Sequence, residues 1–131
     1  MEVLDNYIAE LQTDLLIERF SLDDKVMKVP GIKGKWLSRL SKHRKDYKNF
    51  DRLMGEAKAK LMREYEKNSD ISYTKATLEK IILDNDVMVK IKRSLDNERI
   101  IIEFCEKSLT IVSSMTYDVK NIIEWSKLEL T

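Results

Sequence analysis

Three glycines and one proline are all that 131 residues contain. Tight hairpin turns and phosphate-cradling loops draw heavily on both, so a many-stranded sheet and a nucleotide loop are disfavoured. A single cysteine, Cys105, cannot close an internal disulfide, and a single histidine, His43, leaves no cluster spaced for a metal or for a nucleophile with its base. No metal site and no cofactor are expected. Runs of 18 apolar residues are missing too, and the stretch from Met1 to Phe20 is acidic and amphipathic rather than basic and then apolar. The chain reads as a cytoplasmic protein with no membrane role.

What is present fits helices. A charged fraction of 36% beside 43% hydrophobic residues is the composition of long amphipathic helices, and the fold class is all-α, one helical domain over residues 1–131. So much charge leaves a modest core for this length, and such chains often complete their burial against copies of themselves. Self-association is expected.

Leu4, Ile8, Leu11 and Leu15 recur in steps of four and three, which predicts a helix over roughly Glu2 to Ile17. Ser21 with Asp24 three residues on resembles a capping arrangement for a short helix from Leu22 to about Lys28. Val29-Pro30-Gly31 then reads as a kink or break, because proline lacks a donor and pushes its predecessor out of the helical region. From about Lys33 to Lys67 the apolar positions Trp36, Leu40, His43, Tyr47, Phe50, Met54, Ala57 and Leu61 alternate steps of four and three, a heptad-like seam. At 1.5 Å per residue such a helix runs about 50 Å, against a radius of gyration near 14 Å for a compact chain of this length. Its apolar stripe therefore needs a cover, from this chain or from a neighbouring subunit.

Asn68 to Thr74 reads as a surface connection. Thr74 or Thr77 can cap a short helix carrying Leu78, Ile81 and Ile82, and Asp84-Asn85-Asp86 caps a second long stripe of Val87, Ile91, Leu95, Ile102, Cys105, Leu109 and Val112. Ser113 to Asp118 looks like an interruption before a terminal helix with Val119, Ile122, Ile123 and Trp125. These C-terminal helices, about 86–128, carry the candidate oligomerisation residues Ile101, Ile102, Leu109, Ile122, Ile123 and Trp125. Filling the protomer's own core is an equal alternative for them, since heptad spacing does not distinguish the two.

Charge is segregated along the chain. Residues 1–30 hold three basic and seven acidic side chains, residues 31–67 twelve and five, and residues 68–131 nine and eleven, so segments of −4, +7 and −2 hide behind a total of +1. The central basic residues Lys35, Arg39, Lys42, Arg44, Lys45, Lys58, Lys60 and Arg63, with Lys33, Lys48, Arg52 and Lys67, avoid the seam and stand among aromatics. Cations replace counterions at phosphates and flat rings accept unstacked bases, so this segment is a candidate single-strand interface, with Trp36 and Tyr65 as candidate stacking rings. A merely solvated face with aromatics in the core is the plainer alternative. Repetition of the +7 segment around a closed oligomer favours the interface, because many weak contacts then act together.

Other chemistry is poorly represented. Gly31-Ile32-Lys33-Gly34-Lys35 falls short of a phosphate loop in spacing and places Trp36 where Ser or Thr is needed. His43 lies on the seam as a packing residue, Cys105 on an apolar stripe as an inert thiol, and Glu103 and Glu106 form no convergent pair. No catalytic residues are assigned, and an enzyme is not expected.

Gly34-Lys35-Trp36-Leu37, Lys58-Ala59-Lys60-Leu61 and Ile101-Ile102-Glu103-Phe104-Cys105, in this order and spacing, resemble the UvsY family of recombination mediators of T-even-type bacteriophages. The likeness runs from about Leu4 to Trp125. It implies a non-catalytic accessory factor of recombination, repair and recombination-dependent replication in the infected bacterial cell. Such a factor forms a ring of six or seven subunits, binds single-stranded DNA, helps displace the phage single-strand-binding protein and promotes loading of the RecA-like recombinase UvsX. In that family a lysine and an arginine of a Lys-Ala-Arg-Leu string contribute to DNA binding. The matching positions here are Lys58 and Lys60, the second a departure that keeps the charge but loses the planar two-donor grip. The rival expectation is a helical scaffold or adaptor without nucleic acid.

Overall fold

Leu4, Tyr7 and Leu11, in steps of three and four, lie along one side of a helix and pack on a common apolar cluster. This helix, α1, spans Glu2–Asp14, with Glu2 and Asp5 in its first turn, where the positive helix end favours acids. It stops short of the expected Ile17: Leu15 is the cap residue, its N–H bonded to the carbonyl of Leu11. Tyr7 takes the inward position that the sequence pattern assigned to Ile8, which is exposed.

The computed structural model describes residues 1–18, 21–68 and 73–130, and among these it contains four helices and no strand: α1, then α2 (Leu22–Asn68), α3 (Lys75–Leu83) and α4 (Asp86–Leu130). The fold is all-α. Residues 69–72, in the expected connection between Asn68 and Thr74, lie outside the described residues. Asn85 caps α4 by accepting from the Val87 N–H at 2.9 Å, and Thr74 caps α3 by accepting from the Thr77 N–H at 3.2 Å.

Two expected breaks are absent. Pro30 sits inside α2, which continues through it from Leu22. Proline deletes one ladder bond and crowds the preceding turn. Val29 before it and Trp36 and Leu40 after it are 1, 0 and 3% exposed, so burial on both sides of Pro30 holds the helical path. The second expected interruption, Ser113 to Asp118, is a continuous part of α4. Met115 explains it: three residues after Val112 and four before Val119, it carries the buried stripe straight through the polar run.

The chain forms two compact units, Met1–Lys42 with Ile101–Thr131, and His43–Ile100. In the first, Leu11, Val29, Trp36, Leu40, Ile101, Cys105, Val112, Met115 and Val119 form a core. Ser108 is buried beside this stripe and its hydroxyl donates to the Phe104 carbonyl at 2.7 Å, which satisfies it locally. In the second, Leu78, Ile82 and Met88 are covered by Met54, Ala57, Leu61, Met62 and Tyr65.

Candidate nucleic-acid interface

The seam residues of α2 are all buried or half-buried, from Trp36 to Leu61, so the basic residues are distributed over the remaining circumference of the helix. Within the second unit, Lys45, Lys48, Arg52, Arg63 and Lys67 fall on one line of steps of three and four, completed by Glu56 and Ala59, on the side of α2 opposite the seam. All five cations are exposed. Arg52 is engaged with Glu56 at 2.7 Å, an exposed pair of the kind that contributes little, and the Arg63 Nε donates to the Ala59 carbonyl at 3.3 Å. Lys45, Lys48 and Lys67 have no acidic partner among the described residues. Lys48, Arg52 and Lys67 belong to this line, and the signal that places them is its step pattern rather than their charge.

Lys58 and Lys60 lie to either side of the seam: Lys58 is half-buried, Lys60 exposed, and neither has an ion-pair partner among the described residues. Lys42 and Arg44 are also exposed, and Arg44 makes contacts of its own.

Lys35, Arg39 and Trp36 face a different environment. The Lys35 ammonium stands 2.6 Å from Asp14 and 3.6 Å from Glu10, and Arg39 pairs with Glu10. The Arg39 guanidinium also lies 4.4 Å from the ring centre of Tyr7 and 4.9 Å from that of Trp36, a cation held over two aromatic faces. The hydrogen bond from Arg39 holds Glu10 below the ordinary carboxylate range, against the opposing effect of burial. Burial is the largest influence on Arg39 and works against its charge, but the bond and the charge of Glu10, with smaller contributions from Tyr7 and Cys105, together outweigh it and raise the pKa. These two cations are paired with Glu10 and Asp14 of α1.

Trp36 cannot stack on a base. It is wholly buried, meets Tyr7 and Phe104 edge to face at 5.7 and 5.8 Å, and its Nε1 donates to Asp14 at 3.0 Å. Tyr65, the other candidate ring, packs half-buried against Leu78, Ile82 and Met88. Trp36 is a core residue and Tyr65 packs against the second core, because their spacing on α2 directs both rings inward. The Gly31–Lys35 segment is helical throughout and forms no loop.

Of the candidate oligomerisation residues, Ile101 is 3% exposed in the first core, and Ile102, Leu109 and Ile123 pack against it. Ile122 is half-buried. Trp125 is 68% exposed, as are Tyr117 and Leu128 near it on α4.

The family model for the recombination, repair and ssDNA binding protein UvsY matches residues 10–130. The chain belongs to the UvsY family. Solved structures similar to it include the bacteriophage T4 recombination mediator protein UvsY in three crystal lattices. Lattice type IV gives a TM-score of 0.87 at 21% identity, covering 96% of this chain and 98% of that one. Lattice type II gives 0.84 at 20%, covering 98% of each, and lattice type I gives 0.83 at 20%, covering 95% and 98%. At such identities the likeness establishes the fold, and the family model establishes membership. No curated protein sequence matches the chain. No described helix is long and apolar enough to cross a membrane. UvsY-family membership makes this a recombination and repair protein.

Proposed function

We propose that this protein binds single-stranded DNA along the outward face of α2 and, as a homo-oligomer, loads a RecA-like recombinase onto strands covered by single-strand-binding protein. The observation that carries the reading is the line of exposed cations Lys45, Lys48, Arg52, Arg63 and Lys67, flanked by Lys60, in a chain whose family is described as ssDNA-binding. The mechanism is physical rather than chemical. Cations release counterions from the strand, and several α2 helices acting on one strand bend it away from the extended complex of the competing protein. The freed backbone is then open to the recombinase.

Phosphate contacts are expected to dominate, because Trp36 is in the first core and Tyr65 packs half-buried against the second. Binding of a labelled oligonucleotide, followed by anisotropy over a salt series, should give a log-log slope of about −0.7 for each phosphate neutralised. Replacing Lys45, Lys48 and Arg63 by alanine together should flatten the slope by roughly 2 and weaken binding equally on all sequences. Lys58→Ala with Lys60→Ala should act in the same direction. A native chain that binds no oligonucleotide even at low salt would leave the adaptor function in its place.

A further inference from the structure

His43 and Asp46 are three residues apart on α2, so their side chains leave the same side of that helix, and Glu98 reaches them from α4 within the second unit. One ligand atom from each, an imidazole nitrogen and two carboxylate oxygens, lie within 4.8 Å of one another. The His43 Nδ1 stands 2.7 Å from a Glu98 oxygen, with the imidazole side chain 5% and the carboxylate side chain 14% exposed. Asp46 is half-buried.

The charges here do not balance. The described ion pairs give Glu98 the imidazole and give Asp46 neither lysine nor arginine. A protonated imidazole cancels one of two carboxylates and a neutral one cancels none. Among the described ion pairs at least one negative charge is left without an opposite partner, beside a buried imidazole and a largely buried Glu98 with Asp46 half-buried, where such a charge carries a desolvation cost. A divalent cation reached by all three groups removes that cost.

We propose that His43, Asp46 and Glu98 bind a divalent transition-metal ion, bridging α2 to α4 within the second unit. One imidazole nitrogen with two carboxylate oxygens is the ligand mixture suited to Zn2+, with the remaining position filled by water. Mg2+ and Ca2+ ask for six or more oxygens, which three side chains including an imidazole do not supply. Zn–N and Zn–O bonds of about 2.0–2.2 Å place ligand atoms roughly 3.3–3.6 Å apart in a tetrahedral shell. Binding would open the present 2.7 Å contact to that spacing.

His43 is the only histidine, so one pair of imidazole proton signals reports on the site. In the untagged, chelator-stripped full chain, Zn2+ should shift these signals saturably at one ion per protomer and raise the thermal midpoint, and equal Mg2+ should do neither. Co2+ should give visible d–d absorption without a thiolate charge-transfer band, which separates this site from Cys105. Glu98→Gln and Asp46→Asn should each weaken Zn2+ binding at least tenfold while retaining native helicity. If either variant loses helicity, the native chain's imidazole shifts and Co2+ spectrum decide the matter. Unmoved imidazole signals, a thiolate band, an equal response to Mg2+, or undiminished affinity in a folded Glu98→Gln chain would overturn the assignment.

Discussion

Trp36 shows how one side chain's chemistry depends on its position around a helix. Its spacing from Leu40 and His43 places it on the buried side of α2, and there its indole N–H finds Asp14 while two cations lie against its face. The aromatic and basic residues that suggest a strand-binding surface are here a core ring clamped by three internal ion pairs. Glu10 makes the clamp sensitive to acid. Its carboxyl is held below the ordinary value of 4.5 by the Arg39 bond, so it contributes stability that is complete above that value and lost as pH falls through the lower folded one. The Glu10 side chain is 47% exposed, and solvent screening keeps the contribution under about 1 kcal/mol. In a Trp125→Phe background, Trp36 is the sole indole. Its fluorescence should report acid unfolding that begins below pH 4.5 and that sets in at lower pH for the native chain than for Glu10→Gln, which lacks the pair at every pH. Identical acid transitions in the two would show that the pair contributes nothing.

Among the elements, the long helices were legible wherever apolar spacing ran unbroken and illegible where a local breaker met a stronger tertiary demand. The apolar positions from Trp36 to Leu61 are readable from the residues as one inward side of α2, and every one of them is at least half-buried. Pro30 and the Ser113–Asp118 run carry clear local stop signals, yet Val29 on one side and Met115 and Val119 on the other are among the most buried residues. Local propensity is worth a few kcal/mol at proline and less at serine, whereas each such burial is worth about 1.5–3 kcal/mol. Pairings across distant sequence, Trp36 with Asp14 and His43 with Glu98, have no signal in spacing at all. Glycine in α2 follows the same accounting. Gly34 and Gly55 have helical backbones and a Cβ at either would meet nothing within 4 Å, so they retain only the entropic cost of glycine. Gly34→Ala and Gly55→Ala should each raise stability by about 0.5–1 kcal/mol in urea unfolding, and Gly55→Ala should leave strand affinity unchanged. A loss of stability at Gly34 would indicate that the position serves an approach from another subunit.

For the whole molecule, the apolar positions of α4 divide into two sets that the sequence pattern merges. Ile101, Val112, Met115 and Val119 complete the first core, and Ile102, Leu109 and Ile123 pack on it. Trp125, Tyr117 and Leu128 remain 68% exposed, and their spacing of eight and three places them along one side of the helix. Burial within the protomer accounts for the first set, whereas the second stands largely in solvent. Deleting the chain after Ser113 would therefore test folding rather than assembly, because it removes Met115 and Val119 from the core. Point changes separate the two. Trp125→Ala with Leu128→Ala should leave the helical content and the unfolding midpoint of the protomer unchanged while lowering the sedimentation mass. Strand affinity should fall with it, since a subunit alone offers one short line of cations where an assembly offers many. If the sedimentation mass holds while affinity falls, these residues meet the strand itself. If both hold, Trp125 and Leu128 serve neither self-association nor the strand.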